Sequence, residues 1–425
     1  MLDIKFIKNN TEFFDRSLLK RNIKLNSKDL ISLYDEYIKT LNKNQDFQAK
    51  RNKISKEIGK ISRENPQEAK KLKEEVLSIK NSIAKFNVEI EKKKNSLEKA
   101  LAVIPNILDE KVPLGDSDND NSIIKKYGEI KKFPFKVKDH VTIAENLELM
   151  NYEQANKISG SRFSVLKSEL ALLYRGLINF MLDIHTKENG YTEVVVPELV
   201  KTKTLYGTGQ LPKFKEDLFS TAKDLWLIPT AEVSLTNLHR DEIIDSNSLP
   251  LRFTSFTNCF RAEAGSAGID TKGLIREHQF GKVELVSITK PDDSSDELKR
   301  MTDCIEKILM LLELPFRLVE LCSTDIGFAS SYTIDFEVWM PGQNKYREVS
   351  SCSNCKDFQA RRMNMRSKDK SNNNIFFPHT LNGSGLAIGR VIVAILENFQ
   401  QENGSVIIPK VLRKYIGDIK EITKK

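Results

Sequence analysis

The segment from residue 27 to residue 100 contains only one glycine, Gly59, and one proline, Pro66. These two residue types are the least compatible with helix interiors, so the segment is free to form unusually long helices. In its second half the apolar residues recur at alternating steps of four and three, the heptad pattern of helices that pack side by side. The members of this stripe are Leu72, Val76, Ile79, Ile83, Phe86, Ile90 and Leu97, with Lys93 in the remaining slot.

A second apolar stripe precedes the proline. It runs through Ile31, Tyr34, Ile38 and Leu41, turns polar at Gln45 and Gln48, and resumes at Ile58 and Ile61. Between the two stripes lies the sequence 63–67, Arg-Glu-Asn-Pro-Gln, which predicts a reversal because proline cannot continue a helix. Two helices of comparable length joined by a tight turn form an antiparallel coiled-coil hairpin, each arm about 50 Å long at about 1.5 Å per residue.

The excess positive charge of the chain lies in its first hundred residues. Residues 1–100 carry 24 lysines and arginines against 15 aspartates and glutamates, whereas the remaining residues carry 43 against 44. A basic segment joined to a nearly neutral remainder is typical of a protein with a polyanionic partner, and nucleic acid is the first candidate. A solvated, lysine-rich helix surface without any partner explains the charge equally well.

The remainder of the chain alternates β-branched runs with amphipathic stretches, after Pro105 and a turn-rich, acidic linker at 115–121. The pattern predicts helices at 162–188 and 294–312 and strands at 191–196, 225–228, 282–289 and 331–339. We therefore expect an α+β protein, in which the hairpin precedes a mainly antiparallel β-sheet flanked by helices.

Cysteine usage and hydropathy indicate the compartment. Five cysteines in 425 residues favour reduced thiols over a disulfide framework. There is no apolar run of 18 residues and no basic N-terminal region followed by an apolar block, so we expect a cytoplasmic protein with no membrane partner. Cys352 and Cys355 have zinc-like spacing, but no second pair accompanies them, so no zinc is expected.

Arginines flank a long glycine-rich stretch in the centre of the chain. Residues 260–263 (Phe-Arg-Ala-Glu) and 276–280 (Arg-Glu-His-Gln-Phe) read as strand ends on either side of a loop at 264–273. Long loops inside compact domains tend to be functional, and guanidinium groups bind phosphate oxygens in pairs. A second glycine-rich stretch, 383–389, is predicted to form a turn that opens a helix at 388–400, with Arg390 in the first turn where anions are favoured.

Three ordered segments resemble the signature motifs of class II aminoacyl-tRNA synthetases: 190–197 resembles motif 1, 260–285 motif 2 and 383–400 motif 3. The finer resemblance is to the seryl-tRNA synthetase family. It is carried by Thr230-Ala231-Glu232, Lys282-Val283-Glu284, Glu348-Val349-Ser350-Ser351, Asn382-Gly383-Ser384-Gly385 and the N-terminal hairpin. It covers essentially the whole chain and implies a tRNA-binding domain at 1–105, a catalytic domain at 106–425 and a homodimer.

The resemblance implies an ATP site. In this family pattern Arg261 holds the α-phosphate, Glu263 binds the adenine amino group, Phe280 stacks on the ring, and Arg276 and Arg390 clamp the outer phosphates. The implied ATP-binding residues are Arg261, Ala262, Glu263, Arg276, Glu277, Phe280, Glu348, Val349, Ser350, Ser351 and Arg390, of which Arg261 and Arg390 are catalytic. Glu348 and Ser351 are the implied ligands of Mg²⁺, for which hard oxygen donors are suitable.

The same resemblance implies an L-serine pocket formed by Thr230, Ala231, Glu232, Arg261, Glu284 and Ser384. Its carboxylates are expected to face the ammonium and hydroxyl groups of the substrate, and buried hydrogen bonds to that hydroxyl reject alanine. One departure from the pattern is Glu277, where many relatives are expected to have a neutral side chain. Its carboxylate weakens ATP binding if it points at the phosphates.

The resemblance implies that serine is activated by ATP to seryl-adenylate and transferred to the 3′ end of tRNA(Ser), with tRNA(Sec) as a second candidate acceptor. One alternative is a paralogue that loads a carrier protein, which the long basic hairpin argues against. Another is a non-catalytic RNA-binding or coiled-coil scaffold. Such a scaffold would be expected to lose Arg261, Glu263 or Arg390, and all three are present.

Overall fold

The computed structural model describes residues 1–264 and 273–424. The glycine-rich loop predicted between the two arginine segments therefore lies almost entirely outside the described residues. The chain forms two compact units, Met1–Ile104 and Pro105–Lys425.

The first unit is entirely helical. Its helices are α1 (Ile4–Asn9), α2 (Thr11–Lys20), α3 (Ser27–Ile61) and α4 (Pro66–Ala102). Helices α3 and α4 are the two arms of the hairpin, and they confirm the prediction of two long helices joined by a tight turn. The Asn65 side chain accepts a hydrogen bond from the backbone N–H of Glu68, and Pro66 occupies the first helical turn, so the turn sequence starts α4.

The contact between the two arms is apolar toward the tip and polar in its middle. Ile54, Ile79 and Ile83 are buried together, with Phe47 packed against them. Further along, Asn44 donates a hydrogen bond to Asn87 at 2.9 Å.

Lys93, which interrupts the heptad pattern, donates to the hydroxyl of Thr40 at 3.0 Å. The predicted course of the α3 stripe is wrong in this region, since Thr40 and Asn44 are buried whereas Gln45 is exposed. A polar layer was expected, but its members are shifted by one helical position.

Among the residues that the structure describes, the second unit contains the remaining α-helices and every strand. Its helices are α5 (His140–Asn146), α6 (Tyr152–Ser159), α7 (Ser168–Lys187), α8 (Thr202–Thr208), α9 (Glu232–Thr236), α10 (Ser294–Leu311), α11 (Phe358–Met363), α12 (Ile388–Asn398) and α13 (Lys410–Arg413). Its strands are β1 (Ser122–Tyr127), β2 (Thr192–Glu193), β3 (Leu199–Lys201), β4 (Leu225–Leu227), β5 (Ile243–Asp245), β6 (Leu251–Phe260), β7 (Gln279–Thr289), β8 (Phe316–Glu320), β9 (Tyr332–Met340), β10 (Lys345–Asn354), β11 (Arg366–Lys368), β12 (Ile375–Phe376), β13 (His379–Ala387), β14 (Val406–Ile407) and β15 (Glu421–Ile422).

Eight strands form the main sheet in the order β1-β8-β9-β10-β13-β7-β6-β2. Neighbouring strands are antiparallel except β2 and β6, which are parallel, so the predicted α+β class is confirmed. Helices α7, α10 and α12 pack against this sheet in one apolar core, to which Val283 and Leu285 of β7 contribute. Because side chains alternate along a strand, the residues between them point to the opposite face.

Three predicted elements differ from the structure. Helix α7 begins at Ser168, six residues late, because the residues before it are extended and Leu166 forms a bridge with Met150. The strand predicted at 191–196 is limited to β2, and beyond it Val195 is 92% exposed, so this residue is not part of the core.

The third difference concerns the glycine-rich stretch at 383–389, in which residues 383–387 belong to β13 instead of a turn and residues 388–389 begin α12. A Cβ atom on Gly383 would lie 2.8 Å from the sulfur of Met301 in α10, and one on Gly385 would lie 2.7 Å from the Nε2 of His185 in α7. These glycines let the two helices approach the strand closely, which is a packing requirement and not a turn requirement. No helix within the described ranges combines the length and apolar character needed to cross a bilayer.

Candidate functional site

One face of β7 organises the site. Phe280, Lys282 and Glu284 alternate along this strand with core residues, so all three point away from the helical layer. The neighbouring strand β13 places Ser384 directly opposite Glu284. On the other side, β6 ends at Phe260, and the backbone N–H of Arg261 donates to the carbonyl of His278, which brings Arg261 to the start of β7.

The arginine cavity is lined by residues from the ends of β6, β7 and β13 together with β10. Its lining includes Arg261, Glu263, Arg276, Phe280, Lys282, Glu348, Ser384 and Arg390. The guanidinium of Arg261 lies 5.2 Å from the centre of the Phe280 ring, a cation–π distance. The Nε atom of Arg276 lies 3.6 Å from the Glu263 carboxylate. Of the eight residues named in this lining, seven are predicted site residues, and Lys282 is the exception.

Arg390 belongs to the first turn of α12 and joins three segments of the site. Its Nε donates to the carbonyl of Ile275 at 3.1 Å, and its Nη1 donates to the carbonyl of Glu348 at 2.7 Å. The same Nη1 lies 3.3 Å from the Glu348 carboxylate. Desolvation works in the opposite direction, but the guanidinium groups of Arg390 and Arg261 hold the pKa of Glu348 below its ordinary value.

A β-bulge sets the direction of the side chains in the middle of β10. The pairing of β10 with β9 shifts between Glu348 and Ser350, so Glu348 and Ser351 both line an outer cavity of about 890 Å³, although they are three residues apart. Ser351 pairs with Asp335 of β9, whose pKa is raised by burial and then by the charge of Glu348.

The two residues inside the bulge point elsewhere. Val349 is buried in the main core, and the hydroxyl of Ser350 donates to the carbonyl of Ser384 at 2.6 Å. Ala262 uses its backbone N–H to bind the carbonyl of Asp217, which shapes the chain after β6. These three predicted site residues support the cavity walls through packing and backbone contacts.

The carboxylate cavity adjoins the arginine cavity and has a volume of about 540 Å³. Its polar lining includes Thr230, Glu232, Arg261, Lys282, Glu284, Asn382 and Ser384. Of the predicted serine-binding residues, only Ala231 differs, because it is fully buried against Val196, Leu235 and Val286. The others converge on one cavity.

Glu232 is held by side-chain amides. Its Oε1 accepts hydrogen bonds from Gln359 at 2.6 Å and from Asn382 at 3.0 Å. Gln359 is itself fixed, since it also donates to the carbonyl of Thr208 and accepts from Thr380. Burial raises the pKa of Glu232 to about 7, and the charge of Glu284 adds to this effect.

Glu284 lies in a closed group of three polar side chains. The hydroxyl of Thr230 donates to its Oε2 at 2.7 Å and accepts from the ammonium of Lys282 at 2.9 Å. The same ammonium forms an ion pair with Glu284 Oε2. The three residues are all buried, so each of these polar groups is compensated inside the protein.

Glu277, the departure from the family pattern, is buried beside the arginine cavity. Its carboxylate accepts a hydrogen bond from the hydroxyl of Ser164 at 2.6 Å, and its burial raises its pKa to about 7. One of its oxygens would lie 3.3 Å from a Cβ atom on Gly389. The carboxylate is therefore packed against the start of α12.

Cys352 and Cys355 are both buried, and the sulfur of Cys355 accepts a hydrogen bond from Asn382 at 3.6 Å. Within residues 1–264 and 273–424, no group of three or more histidine, cysteine or acidic side chains has an arrangement that could hold a metal ion.

The sequence analysis assigned no site role to several residues that the structure places in or beside these cavities, among them Lys282, Asp335, Gln359 and Asn382. Lys282 could have been found, because it alternates with Phe280 and Glu284 along a predicted strand. Asp335 and Gln359 carry no such signal, since each becomes relevant only through a partner distant in sequence.

Comparisons with known proteins agree with this architecture. The seryl-tRNA synthetase N-terminal domain matches residues 1–108, and the class II tRNA synthetase core domain of the G, H, P, S and T enzymes matches residues 214–399. The serine–tRNA ligases of Brucella canis and Brucella suis are 50% identical over 425 residues and covered in full.

Two solved structures have the same fold along the whole chain. Seryl-tRNA synthetase from Pyrococcus horikoshii, complexed with ATP, has a TM-score of 0.93 at 38% identity, with both chains covered completely. The cytoplasmic serine–tRNA ligase of Naegleria fowleri, in complex with AMP, has a TM-score of 0.87 at 27% identity and covers 100% of this chain and 99% of its own. The chain belongs to the seryl-tRNA synthetase family and is a serine–tRNA ligase, an enzyme built on the class II synthetase core.

Proposed function

We propose that the arginine cavity binds ATP and the carboxylate cavity binds L-serine, so that seryl-adenylate forms where the two meet. The observation that carries this proposal is the position of Arg261, which lines both cavities. A serine whose ammonium faces Glu232 and whose hydroxyl faces Glu284 would direct its carboxylate toward this guanidinium. Catalysis of such a displacement requires positioning and charge stabilisation, and no enzyme nucleophile is needed.

The ATP contacts follow from the chemistry of each side chain. Phe280 offers an aromatic face to the adenine ring, and Glu263 offers a carboxylate to its amino group. Arg276 and Arg390 supply guanidinium groups for the outer phosphates, for which the planar fork of arginine is well matched. Arg261 stabilises the negative charge that grows on the α-phosphate as the serine carboxylate attacks it. Pyrophosphate is the leaving group.

Mg²⁺ fits the outer cavity. The bulge in β10 turns the carboxylate of Glu348 and the hydroxyl of Ser351 into this cavity, and both are hard oxygen donors. The ion would neutralise phosphate charge when bound with ATP. Glu348 and Ser351 would hold it, while Asp335 positions the Ser351 hydroxyl through its hydrogen bond.

The hairpin of α3 and α4 is proposed to bind tRNA(Ser), with tRNA(Sec) as a second candidate acceptor. Two features support this proposal. The first hundred residues carry a net charge of +9, which suits a phosphate backbone. Each arm is roughly 50 Å long by helix rise. Transfer of the seryl group to the tRNA 3′ end completes the reaction and releases AMP.

We also propose a homodimer in the cytoplasm. Val195 follows β2 at the edge of the main sheet and is 92% exposed, so a second copy that packed against this edge would bury its side chain. All five cysteines are free, as expected for a reducing compartment.

Amino-acid-dependent exchange of pyrophosphate into ATP tests the assignment of the two cavities. With each of the twenty amino acids and Mg²⁺, serine alone is expected to support strong exchange. Strong exchange with threonine or proline and none with serine would contradict the assignment of the carboxylate cavity.

A further inference from the structure

Lys282 is a buried cation at the junction of the two cavities, and the family pattern gave it no role. Only 6% of its surface is exposed, and it lines both the arginine cavity and the carboxylate cavity. It lies between Phe280 and Glu284 on one face of β7, and therefore between the proposed adenine and serine sites.

The described contacts of Lys282 use two of the three N–H donors of its ammonium group. An ammonium group has three N–H donors. Two of them have partners, the Thr230 hydroxyl and the Glu284 carboxylate, while Thr230 itself donates to Glu284. A small polar group placed against this trio could accept from Lys282 and donate to Glu284 at the same time. A hydroxyl group has both capacities, whereas an ammonium group can only donate.

The two carboxylates of the cavity differ in how their charge is compensated. The described contacts of Glu232 are side-chain amides of Gln359 and Asn382, which carry no charge, whereas Glu284 is paired directly with a lysine. With both carboxylates ionised, Lys282 and Arg261 balance their charge, and the ammonium and carboxylate of a bound serine add no net charge to these four side chains. A second substrate cation would leave the cavity with an excess positive charge in a buried place, which is costly.

We propose that Lys282 is a specificity-determining residue, which neutralises Glu284 so that the pocket accepts a β-hydroxyl and rejects a β-ammonium group. This inference rests on the proposed function of the carboxylate cavity. It adds that the cavity selects its substrate by the charge of the group on the β-carbon. Glu232 meets the α-ammonium group, and the Lys282–Glu284 pair meets the side chain. Removing Lys282 leaves Glu284 as an uncompensated carboxylate that attracts a cation.

The test compares serine with L-2,3-diaminopropionate, which replaces the hydroxyl by an ammonium group and is otherwise similar in size. Serine-dependent and diaminopropionate-dependent exchange are measured for the unmodified enzyme, Lys282→Met and Lys282→Arg. We expect Lys282→Met to lower kcat/KM for serine and to raise the ratio of diaminopropionate to serine by about tenfold or more. Lys282→Arg keeps the positive charge and should keep the unmodified ratio.

The double variant Lys282→Met/Glu284→Gln removes both buried charges. It restores neutrality with a single substrate cation, so the preference for diaminopropionate should disappear again even though serine activation stays weak. If Lys282→Met alone fails to fold, Lys282→Gln takes its place in the same comparison, because its neutral amide can still donate to Glu284, and the raised ratio is again expected.

The proposal is overturned if Lys282→Met changes the two substrates by the same factor, or if the double variant keeps an elevated ratio. These results differ from a failure of the proposed function, which would show as missing serine-dependent exchange in the unmodified enzyme.

Discussion

Arg390 and Glu348 hold each other at the mouth of the site, with 3.3 Å between the guanidinium Nη1 and the carboxylate and a 2.7 Å hydrogen bond to the Glu348 backbone oxygen. The proposed phosphate-binding cation is therefore oriented by the proposed magnesium ligand. When ATP and Mg²⁺ bind, phosphate oxygens would replace Glu348 as the partner of Arg390. The ion would replace Arg390 as the partner of Glu348.

Replacing Arg390 with alanine is accordingly expected to raise KM for ATP by about 10–100-fold, the loss of a charge-assisted hydrogen bond. KM for serine should change little, because Arg390 does not line the carboxylate cavity. Initial rates of exchange at varied ATP and Mg²⁺ measure both constants, with Arg240→Ala outside the described cavities as the control. Equal effects on both substrates would show that the change disturbs the whole site.

The pKa of Glu232 predicts how serine binding depends on pH. Burial and the neighbouring Glu284 raise it to about 7, so Glu232 is largely protonated at pH 6 and largely ionised at pH 8. Only the ionised form attracts the substrate ammonium, and KM for serine should therefore fall as the pH rises across this window. Glu232→Gln should have a high KM that no longer varies in the same way. A constant serine KM between pH 6 and 8 in the unmodified enzyme would contradict this role.

Glu277 predicts a pH dependence of stability. In the unfolded chain its pKa is near the ordinary 4.5, whereas burial raises it to about 7 in the folded protein. Between these values the folded state binds more protons than the unfolded state, so the free energy of unfolding falls as the pH rises. The penalty is absent below pH 4.5 and complete above pH 7.

Glu277→Gln removes this penalty and retains an oxygen that accepts from Ser164. We expect the variant to be more stable than the unmodified protein at pH 8, by at most about 3 kcal/mol, and to differ little at pH 4.5. Denaturant unfolding at both pH values measures the difference, and Glu402→Gln on the exposed surface is the control. A gain that is equal at both pH values would point to packing as its cause.

The hairpin prediction separates RNA binding from serine activation. Lys53, Lys56 and Lys60 are exposed on α3, and their joint replacement by glutamine keeps the helix while removing three positive charges. We expect a higher KM for tRNA, and a shallower decline of tRNA affinity with salt, because fewer phosphate contacts remain. Serine-dependent exchange should be unchanged.

Deletion of residues 30–98, bridged by a short flexible linker, should abolish tRNA charging and spare exchange. For the triple lysine variant, the matched control replaces Lys410, Lys420 and Lys424 by glutamine, because these three lysines are exposed in the second unit. Normal charging by the deletion variant would exclude the hairpin from tRNA binding.

The sequence predicted the parts of the fold that depend on local periodicity. Helix α10 begins at the predicted residue, and the hairpin arms and their turn lie where the heptads and Pro66 placed them. Gly383 and Gly385 misled the prediction, because a glycine that permits a turn and a glycine that admits a neighbouring helix look the same in a sequence. The second meaning depends on Met301 and His185, which lie far away along the chain.

In the site too, residues within recognisable motifs could be predicted, whereas residues that depend on partners distant along the chain could not. The motif residues that converge on the two cavities were predicted through the family resemblance, and most of their side chains do converge. Gln359 was not predicted, because its contact with Glu232 spans 127 residues. A glutamine amide is also neither charged nor part of a recognised motif, so the sequence gives no reason to select it. The ATP contact of Ser350 stays a prediction, while the structure shows what a sequence does not contain, namely that its hydroxyl donates to the carbonyl of Ser384 beside the bulge in β10.

Strand β7 sets the spacing of the proposed substrate contacts. Alternate residues on one face of a strand are about 6.6 Å apart, so Phe280, Lys282 and Glu284 lie at three fixed positions along the length proposed for an amino acid joined to a nucleotide. Inserting or deleting one residue at Gly281 would place Phe280 on the opposite face of the strand from Lys282 and Glu284. In the proposed complex, the backbone geometry of β7 therefore sets the distance between the nucleotide and the amino acid, and side-chain substitutions would change what is bound at each position without changing the spacing.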